Sequence, residues 1–409
     1  MKPLRVMCIL GTRPEAIKMA PVARAADDFG SLVEMIVVST AQHREMVDDV
    51  LGTFDVEPHE DLDVMVPGQT LHEVAAKVVA GVGEVIARHR PDVVLVQGDT
   101  TTTVAAALAA YYAKCRVAHV EAGLRTGSKW APFPEEGNRC VTSCLADLHF
   151  APTEEARDNL LAEGYPPSDI YVTGNTVIDA LLLTADRVAG RPCPIPELEP
   201  SLRNGRQMVL VTGHRRESFG AGLRRICSAL LEVARARPDV RLVYPVHPNP
   251  RVAGPVRDIL GSQENVFLVP PQPYPHFVWL MQRSAVIVTD SGGIQEEAPV
   301  LGKPVLVTRR LTERPEAVAA GLCRLVGDDP VKIVEGVQRL LDSAHSVEAG
   351  PPDRSIYGDG RSSQRILETL LSRRHEGWAA SNVVPLPSRP AARLATMVQL
   401  RQGRPNVES

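Results

Sequence analysis

"DVVLVQGDTTTTVAAALAAYYAKCRVAHVEAG", residues 92–123, decides the fold. An unbroken apolar run ends in Gly98 and Asp99, four threonines open a helical segment, and a second apolar run ends in Glu121. Strands that are apolar throughout, rather than alternating, are buried on both faces, and strands joined through a helix pair in parallel. Working outward, the unit repeats. Upstream lie the strand candidates "RVMCIL" and "EMIVVST", with the helical patterns "PEAIKMAPVARAADDF" and "TLHEVAAKVVAGVGEVIARHR". Downstream come "LHFAP" and "IYVTG".

Residues 187–207, "RVAGRPCPIPELEPSLRNGRQ", are rich in proline and polar groups and read as a linker or domain edge. After them the alternation restarts with "MVLVTG", "RLVYPVH", "VFLVP", "AVIVTDSG" and "PVLVTR", with the helix "LRRICSALLEVARARP" between the first two. The pattern predicts an α/β protein of two Rossmann-like, doubly wound domains that face each other across a cleft. The N-terminal domain is expected over 1–175 and a nucleotide-binding C-terminal domain with terminal helices over 176–375. Residues 376–409 lose periodicity, gain proline and arginine, and read as a flexible C-terminal extension.

The 409 residues suit two domains, and 44% hydrophobic with 23% charged residues is the balance of a globular protein. A formal net charge of −4 supplies no general attraction for nucleic acid or an anionic membrane, so phosphate must be met by local basic residues. No apolar run approaches the ~18 residues of a membrane span, and "MKPLRVMCIL" lacks a signal-peptide layout, so a cytoplasmic location is expected. The seven cysteines show no metal spacing. Cys140 and Cys144 lie four apart in a helical pattern without a second pair, so no metal is expected.

Missing motifs narrow the chemistry. "ILGTRPEAIK" has one glycine where a dinucleotide fingerprint needs three, and "GVGEVI" lies inside a helix and lacks the third. "PVLGKP" has proline where a P-loop needs Ser or Thr, and neither H-E-x-x-H nor G-x-S-x-G occurs. No cofactor is expected.

Polar clusters sit at strand ends, where such sheets place their ligands. In "GTRPEAIK", Arg13 and Lys18 flank a helix start at which a diphosphate would meet dipole and cations together; a surface ion pair of Arg13 with Glu15 is the structural alternative. Asp99 ends "VQGD" and is either functional or a helix N-cap. Glu121 in "HVEAGLRTG" and Glu135 and Glu136, near Arg139, in "APFPEEGNR" add carboxylates that, converging in one cleft, would raise one another's pKa. His214 in "VTGHRRESFG" and His247 in "YPVHPNP" stand at comparable turns. In "TDSGGIQEEAP" the amides of Ser291, Gly292 and Gly293 would take phosphate while Glu297, one turn on, accepts ribose hydroxyls; Glu296 reads instead as a first-turn dipole residue.

At these residues the sequence closely resembles the non-hydrolysing UDP-N-acetylglucosamine 2-epimerases. "GTRPEAIKMAP", "AQHREM", "GDTTTT", "HVEAGLRTG", "PFPEEGNR", "VTGNTVIDAL", "GHRRESFG", "TDSGGIQEEAP", "TERPEAV" and "YGDG" carry the resemblance in order from residue 11 to about 360. It implies a glycosyltransferase-B-like fold, a homodimer, and interconversion of UDP-N-acetylglucosamine and UDP-N-acetylmannosamine for bacterial surface polysaccharide. The implied route eliminates UDP to 2-acetamidoglucal and adds it back with protonation on the other face of C2. By resemblance Asp99, Glu121, Glu135 and His214 are the catalytic candidates. Arg13, Lys18, His214 and the Ser291–Gly293 turn hold phosphate, Glu297 the ribose, Gln272 and Phe277 the uracil side, and Arg314 makes a further nucleotide contact. Gln42 and His43, with His247, match the region where many bacterial members bind a second UDP-N-acetylglucosamine as activator. Departures from the family pattern are Arg310, Leu311, Leu322 and Pro248, together with Glu45 and Gly68 in the activator region. A glycosyltransferase of the same fold and a hydrolysing epimerase are the competing expectations.

Overall fold

The computed structural model describes residues 2–42, 44–66, 68–202, 205–213, 219–312, 314–343 and 355–375. Two all-parallel sheets form within them. The first holds β1 (Leu4–Leu10), β2 (Val33–Ser39), β3 (Glu60–Asp61), β4 (Val93–Gln97), β5 (Arg116–Val120), β6 (Leu148–Ala151) and β7 (Ile170–Val172), in the order β3-β2-β1-β4-β5-β6-β7. The second holds β8 (Met208–Thr212), β9 (Arg241–Pro245), β10 (Val266–Val269), β11 (Val286–Thr289), β12 (Val305–Val307) and β13 (Cys323–Leu325), in the order β10-β9-β8-β11-β12-β13. Each sheet therefore reverses direction beside its first strand, between β1 and β4 and between β8 and β11, and there a doubly wound sheet opens its ligand crevice.

The helices are α1 (Arg13–Ala25), α2 (Arg44–Thr53), α3 (Leu71–His89), α4 (Thr101–Tyr112), α5 (Glu135–Leu145), α6 (Glu154–Ala162) and α7 (Thr176–Val188) in the first half. The second half adds α8 (Ala221–Ala236), α9 (Pro250–Leu260), α10 (Tyr274–Arg283), α11 (Gly292–Val300), α12 (Pro315–Ala319), α13 (Pro330–Ser343) and α14 (Ser362–His375). Every strand of the 92–123 unit is buried on both faces, as the uninterrupted apolar runs require. Gly11 ends β1 because a side chain there would lie 1.9 Å from Thr40 Oγ1.

α7 carries the chain out of the first half. It packs on α1 and α14 on one side and on α10 and α11 on the other, so that Ile178 and Leu181 are buried in one apolar cluster with Met19, Val278 and Met281. A fully buried side chain of this size contributes about 2 kcal/mol. α14 brings the chain back: Arg373 donates to Asp169 Oδ1 at 2.7 Å and Arg374 to the Lys2 carbonyl at 2.8 Å. The proline-rich segment after α7 is anchored by Ile195, Leu198 and Leu202, all buried. Residues 376–409 lie outside the described residues.

Candidate active site

The turns after β1 and β4 are bound together by Glu15. Its Oε2 accepts the Gly11 and Thr12 amides at 3.0 and 2.7 Å, and its Oε1 accepts the Thr100 and Thr103 hydroxyls at 2.6 and 3.1 Å. Glu15 is fully buried, so the surface ion pair with Arg13 is not made. Arg13 reaches the other half instead and donates to the Gln272 carbonyl at 3.0 Å. The N-cap of α4 is Thr100, whose hydroxyl accepts the Thr103 amide at 3.1 Å, and Asp99 is thereby left for other work. Asp99 Oδ2 is paired with Arg139, and Arg139 also donates to Glu136 Oε2 at 3.1 Å. Glu136 Oε1 takes the Thr126 and Gly127 amides, both at 3.0 Å. Its neighbour Glu135 has a buried Oε2 with no hydrogen-bond partner among the described residues.

Glu121 leaves β5 in the left-handed region, at φ 61°, and this turns its carboxylate inward. There it meets Lys18 of α1 and the Gln97 amide, while its Oε1 lies 3.3 Å from Asn175 Nδ2 and 3.9 Å from Arg314. Arg314 and Asn175 in turn hold Glu296, at 2.5 and 2.6 Å. One buried network therefore joins α1, β5 and the start of α7 to α11 and the start of α12. The expectation that neighbouring carboxylates raise one another is corrected for Glu121. Burial would push it up, but Lys18 and Arg314 outweigh burial and hold it below the usual carboxylate range. Glu296 is raised, because burial, reinforced by Glu121, overcomes Arg314. Lys18 stays raised, Glu121 and Glu296 more than offsetting its burial. Glu296 lies past the first turn of α11 and is spent on Arg314, which removes the reading as a helix-dipole residue.

Glu297 faces Tyr274, which donates to its Oε1 at 2.9 Å. Burial, aided by the Glu296 charge and opposed by Tyr274, pushes its pKa up to about 7. Ser291 is the N-cap residue of α11, and Gly292 and Gly293 form its first turn. Phe277 sits half-buried on α10, packed against the core. Gln42 accepts the Thr102 hydroxyl at 3.1 Å beside the β4–α4 turn, and His247 is exposed after β9 with Nδ1 accepting the Asn249 amide at 3.1 Å. His43 and His214 lie outside the described residues. An open cleft of about 880 Å³ runs between the halves, walled by Arg125, Thr126 and Pro132 on one side and by Arg225, Arg310 and Thr312 on the other.

A family profile described as UDP-N-acetylglucosamine 2-epimerase matches residues 29–371. The chain is 52% identical over 374 residues to the UDP-N-acetylglucosamine 2-epimerase of Salmonella typhimurium, covering 91% of this chain and 99% of that one. With the enzyme of that name from Escherichia coli K12 the identity is 53% over 376 residues, covering 91% and 99%. The chain belongs to the UDP-N-acetylglucosamine 2-epimerase family. Among solved structures of this family, the Neisseria meningitidis protein bound to UDP-GlcNAc superposes with a TM-score of 0.83 at 46% identity, covering 90% of this chain and 100% of that one. A Rickettsia africae glycosyltransferase at 12% identity and TM-score 0.55, covering 92% of this chain and 98% of that one, shares the fold alone.

Three residues of this family member's network were not singled out from the sequence as site residues: Gln97, Asn175 and Tyr274. Gln97 closes an apolar strand and Tyr274 opens a helix directly after Pro273, positions with structural explanations of their own. Asn175 carried a signal, a polar residue straight after the Gly174 turn, which reads equally well as a helix cap. Among the described residues no group of three or more His, Cys, Asp or Glu side chains is arranged to hold a metal. The cluster offers instead an ionised carboxylate, carboxyls raised toward neutrality and the cations Arg13, Lys18, Arg139 and Arg314, a set fitted to moving a proton beside a departing anion.

Proposed function

We propose that this protein interconverts UDP-N-acetylglucosamine and UDP-N-acetylmannosamine without a cofactor. A base takes the C2 proton, the C1–O bond breaks with its electron pair leaving on UDP, and 2-acetamidoglucal remains. Re-addition of UDP at C1 delivers a proton to the other face of C2. The observation that carries this reading is the convergence of Glu121 and Glu296 from opposite halves on the same Arg314 and Asn175, beside Lys18. Asp99, Glu121, Glu135 and His214 are the acid and base groups around C2. Arg13, Lys18, Arg314 and the Ser291–Gly293 turn hold the diphosphate, whose charge grows as it leaves. Glu297 takes the ribose hydroxyls, and Gln272 and Phe277 the uracil side.

The names of the relatives and the UDP-GlcNAc and UDP bound to the Neisseria meningitidis and Methanocaldococcus jannaschii structures support the substrate class. A homodimer in the cytoplasm, supplying N-acetylmannosamine units for surface polysaccharide, completes the proposal, with a second UDP-N-acetylglucosamine as activator beside Gln42, His43 and His247. No helix among the described residues is long and apolar enough to cross a membrane. The test is proton NMR with UDP-N-acetylglucosamine in D2O and no added NAD. UDP-N-acetylmannosamine carrying deuterium at C2 is expected. Free N-acetylmannosamine with UDP would instead indicate hydrolysis, and turnover only with an acceptor sugar would indicate a glycosyltransferase.

A further inference from the structure

Asn175 stands where the chain leaves the first sheet for α7, and all its polar atoms are committed. Its Oδ1 accepts the Val177 amide at 3.1 Å as the N-cap of α7, and this fixes the direction of the amide group. Its Nδ2 must then face the site, 2.6 Å from Glu296 Oε2 and 3.3 Å from Glu121 Oε1. Its backbone N–H donates to the Tyr357 carbonyl at 2.6 Å, on the segment that leads back into α14. Gly174, at φ 86°, allows that approach, since a side chain there would lie 2.7 Å from Ser362 Oγ and 3.0 Å from the Gly358 Cα. Asn175 is thus clamped by both passages of chain between the halves, and one N–H points to a carboxylate from each half.

We propose that Asn175 is a positioning residue of the reaction: its side-chain amide holds Glu121 and Glu296 at a set separation and ties both to the crossing between the two halves, without touching the substrate. The proposal rests on the function given above. Two carboxylates buried side by side repel, and here Lys18 and Arg314 offset the charge. Both cations end flexible stems, and a diphosphate gaining charge as it departs competes for them. The Asn175 amide is anchored by its own cap bond and by the Tyr357 carbonyl, so its two N–H groups stay in place while the cations turn to the leaving group.

A residue that merely capped α7 would need only its acceptor oxygen, which Ser and Asp supply as well. Asn175→Ser and Asn175→Asp therefore keep the cap and remove both amide N–H groups that reach the carboxylates. Both are expected to hold UDP, by calorimetry, within about threefold of the parent while kcat falls at least about 30-fold with KM little changed, as for a misplaced catalytic group. The amide favours the charged carboxylates, so its loss raises their pKa and moves the acid limb of the kcat/KM profile to higher pH, further for Asp than for Ser. The titratable or charged groups facing the pair are Lys18, His119, Arg139, Glu297, Arg314 and Tyr357, all present in both variants. A Ser variant whose kcat stays within about threefold of the parent, with its acid limb unmoved, would overturn the proposal. Carboxyl 13C titration of Glu-labelled protein reads the same shift without any turnover. An unmoved glutamate titration in a folded variant also overturns it, even should the parent prove inactive on UDP-N-acetylglucosamine, a result that refutes the function alone.

Discussion

Each half of the molecule carries two adjacent glutamates, Glu135 and Glu136 at the start of α5 and Glu296 and Glu297 in α11, and within each pair the two carboxylates have separate fates. Glu136 is consumed by Arg139 and two backbone amides, and Glu296 by Arg314 and Asn175. Among the described residues Glu135 keeps a buried oxygen without a hydrogen-bond partner, and Glu297, with Tyr274 but no ion pair, is pushed to about 7. Successive helical side chains point about 100° apart, so one member of each pair reaches the local cation and the other does not. Within these two pairs, the carboxylate that a cation has reached holds the fold together. Its neighbour is left for a ligand or a proton.

The first way to break this comparison is within α5. Glu135→Gln is expected to lower turnover by about 10²- to 10⁴-fold with an unchanged melting temperature. Asp99→Asn is expected to do the same while UDP affinity stays within a few-fold, and an active Asp99→Asn protein would remove Asp99 from the mechanism. Glu136→Ala should behave oppositely. It strands two amides and one face of Arg139, costing about 3 kcal/mol by denaturant titration, while the turnover of folded protein changes far less than in Glu135→Gln. Equal stability losses in the two α5 variants would end the distinction.

The second pair sharpens it through pH. The Glu297 carboxyl is raised in the folded protein above its value in the unfolded chain, so the folded state holds a proton that the unfolded chain has released. The stability it contributes is full below the ordinary carboxylate pKa and is lost as pH rises toward and through about 7. Glu297→Gln should therefore melt above the parent at pH 8 and level with it near pH 4. The ionised form is the better acceptor for ribose hydroxyls, so UDP affinity should fall by up to about tenfold from pH 8 to pH 6, and this dependence should vanish in Glu297→Gln. A parent whose affinity is flat over that interval would take the ribose contact away from Glu297.

How legible these fates were in the chain depends on distance along it. The β4–α4–β5 unit, the restart of the alternation after residue 207 and the Ser291 turn follow from local pattern, and all three form as read. β3 and β13 were not read, because "ED" and "CRL" are too short and too mixed to show a strand period. Asp99, a catalytic candidate, could equally have been a cap because Asp precedes a helix there, and only the structure shows that Thr100 does the capping. The site network was least legible. Lys18 and Glu121 are 103 positions apart and Asn175 and Glu296 are 121 apart, so residue types suggested a site while the chain could not say which cation neutralises which carboxylate.

The smallest effect is expected at the mouth of the cleft, at Arg310. Arg310 has an 82% exposed side chain and lies 3.4 Å from Asp328, which Arg225 also holds. An exposed pair of that kind is worth about 0–1 kcal/mol, since water screens it and both side chains lose rotamer freedom in making it. Arg310→Ala should therefore shift stability by no more than about 0.5 kcal/mol and leave KM for UDP-N-acetylglucosamine within about twofold. Arg314, only four residues on, has a side chain only 13% exposed between Glu121 and Glu296, and Arg314→Ala should lower both stability and turnover. If Arg310→Ala raised KM tenfold instead, an exposed arginine would be reading the substrate. Burial would then no longer be what separates the working charges of this cleft from the idle ones.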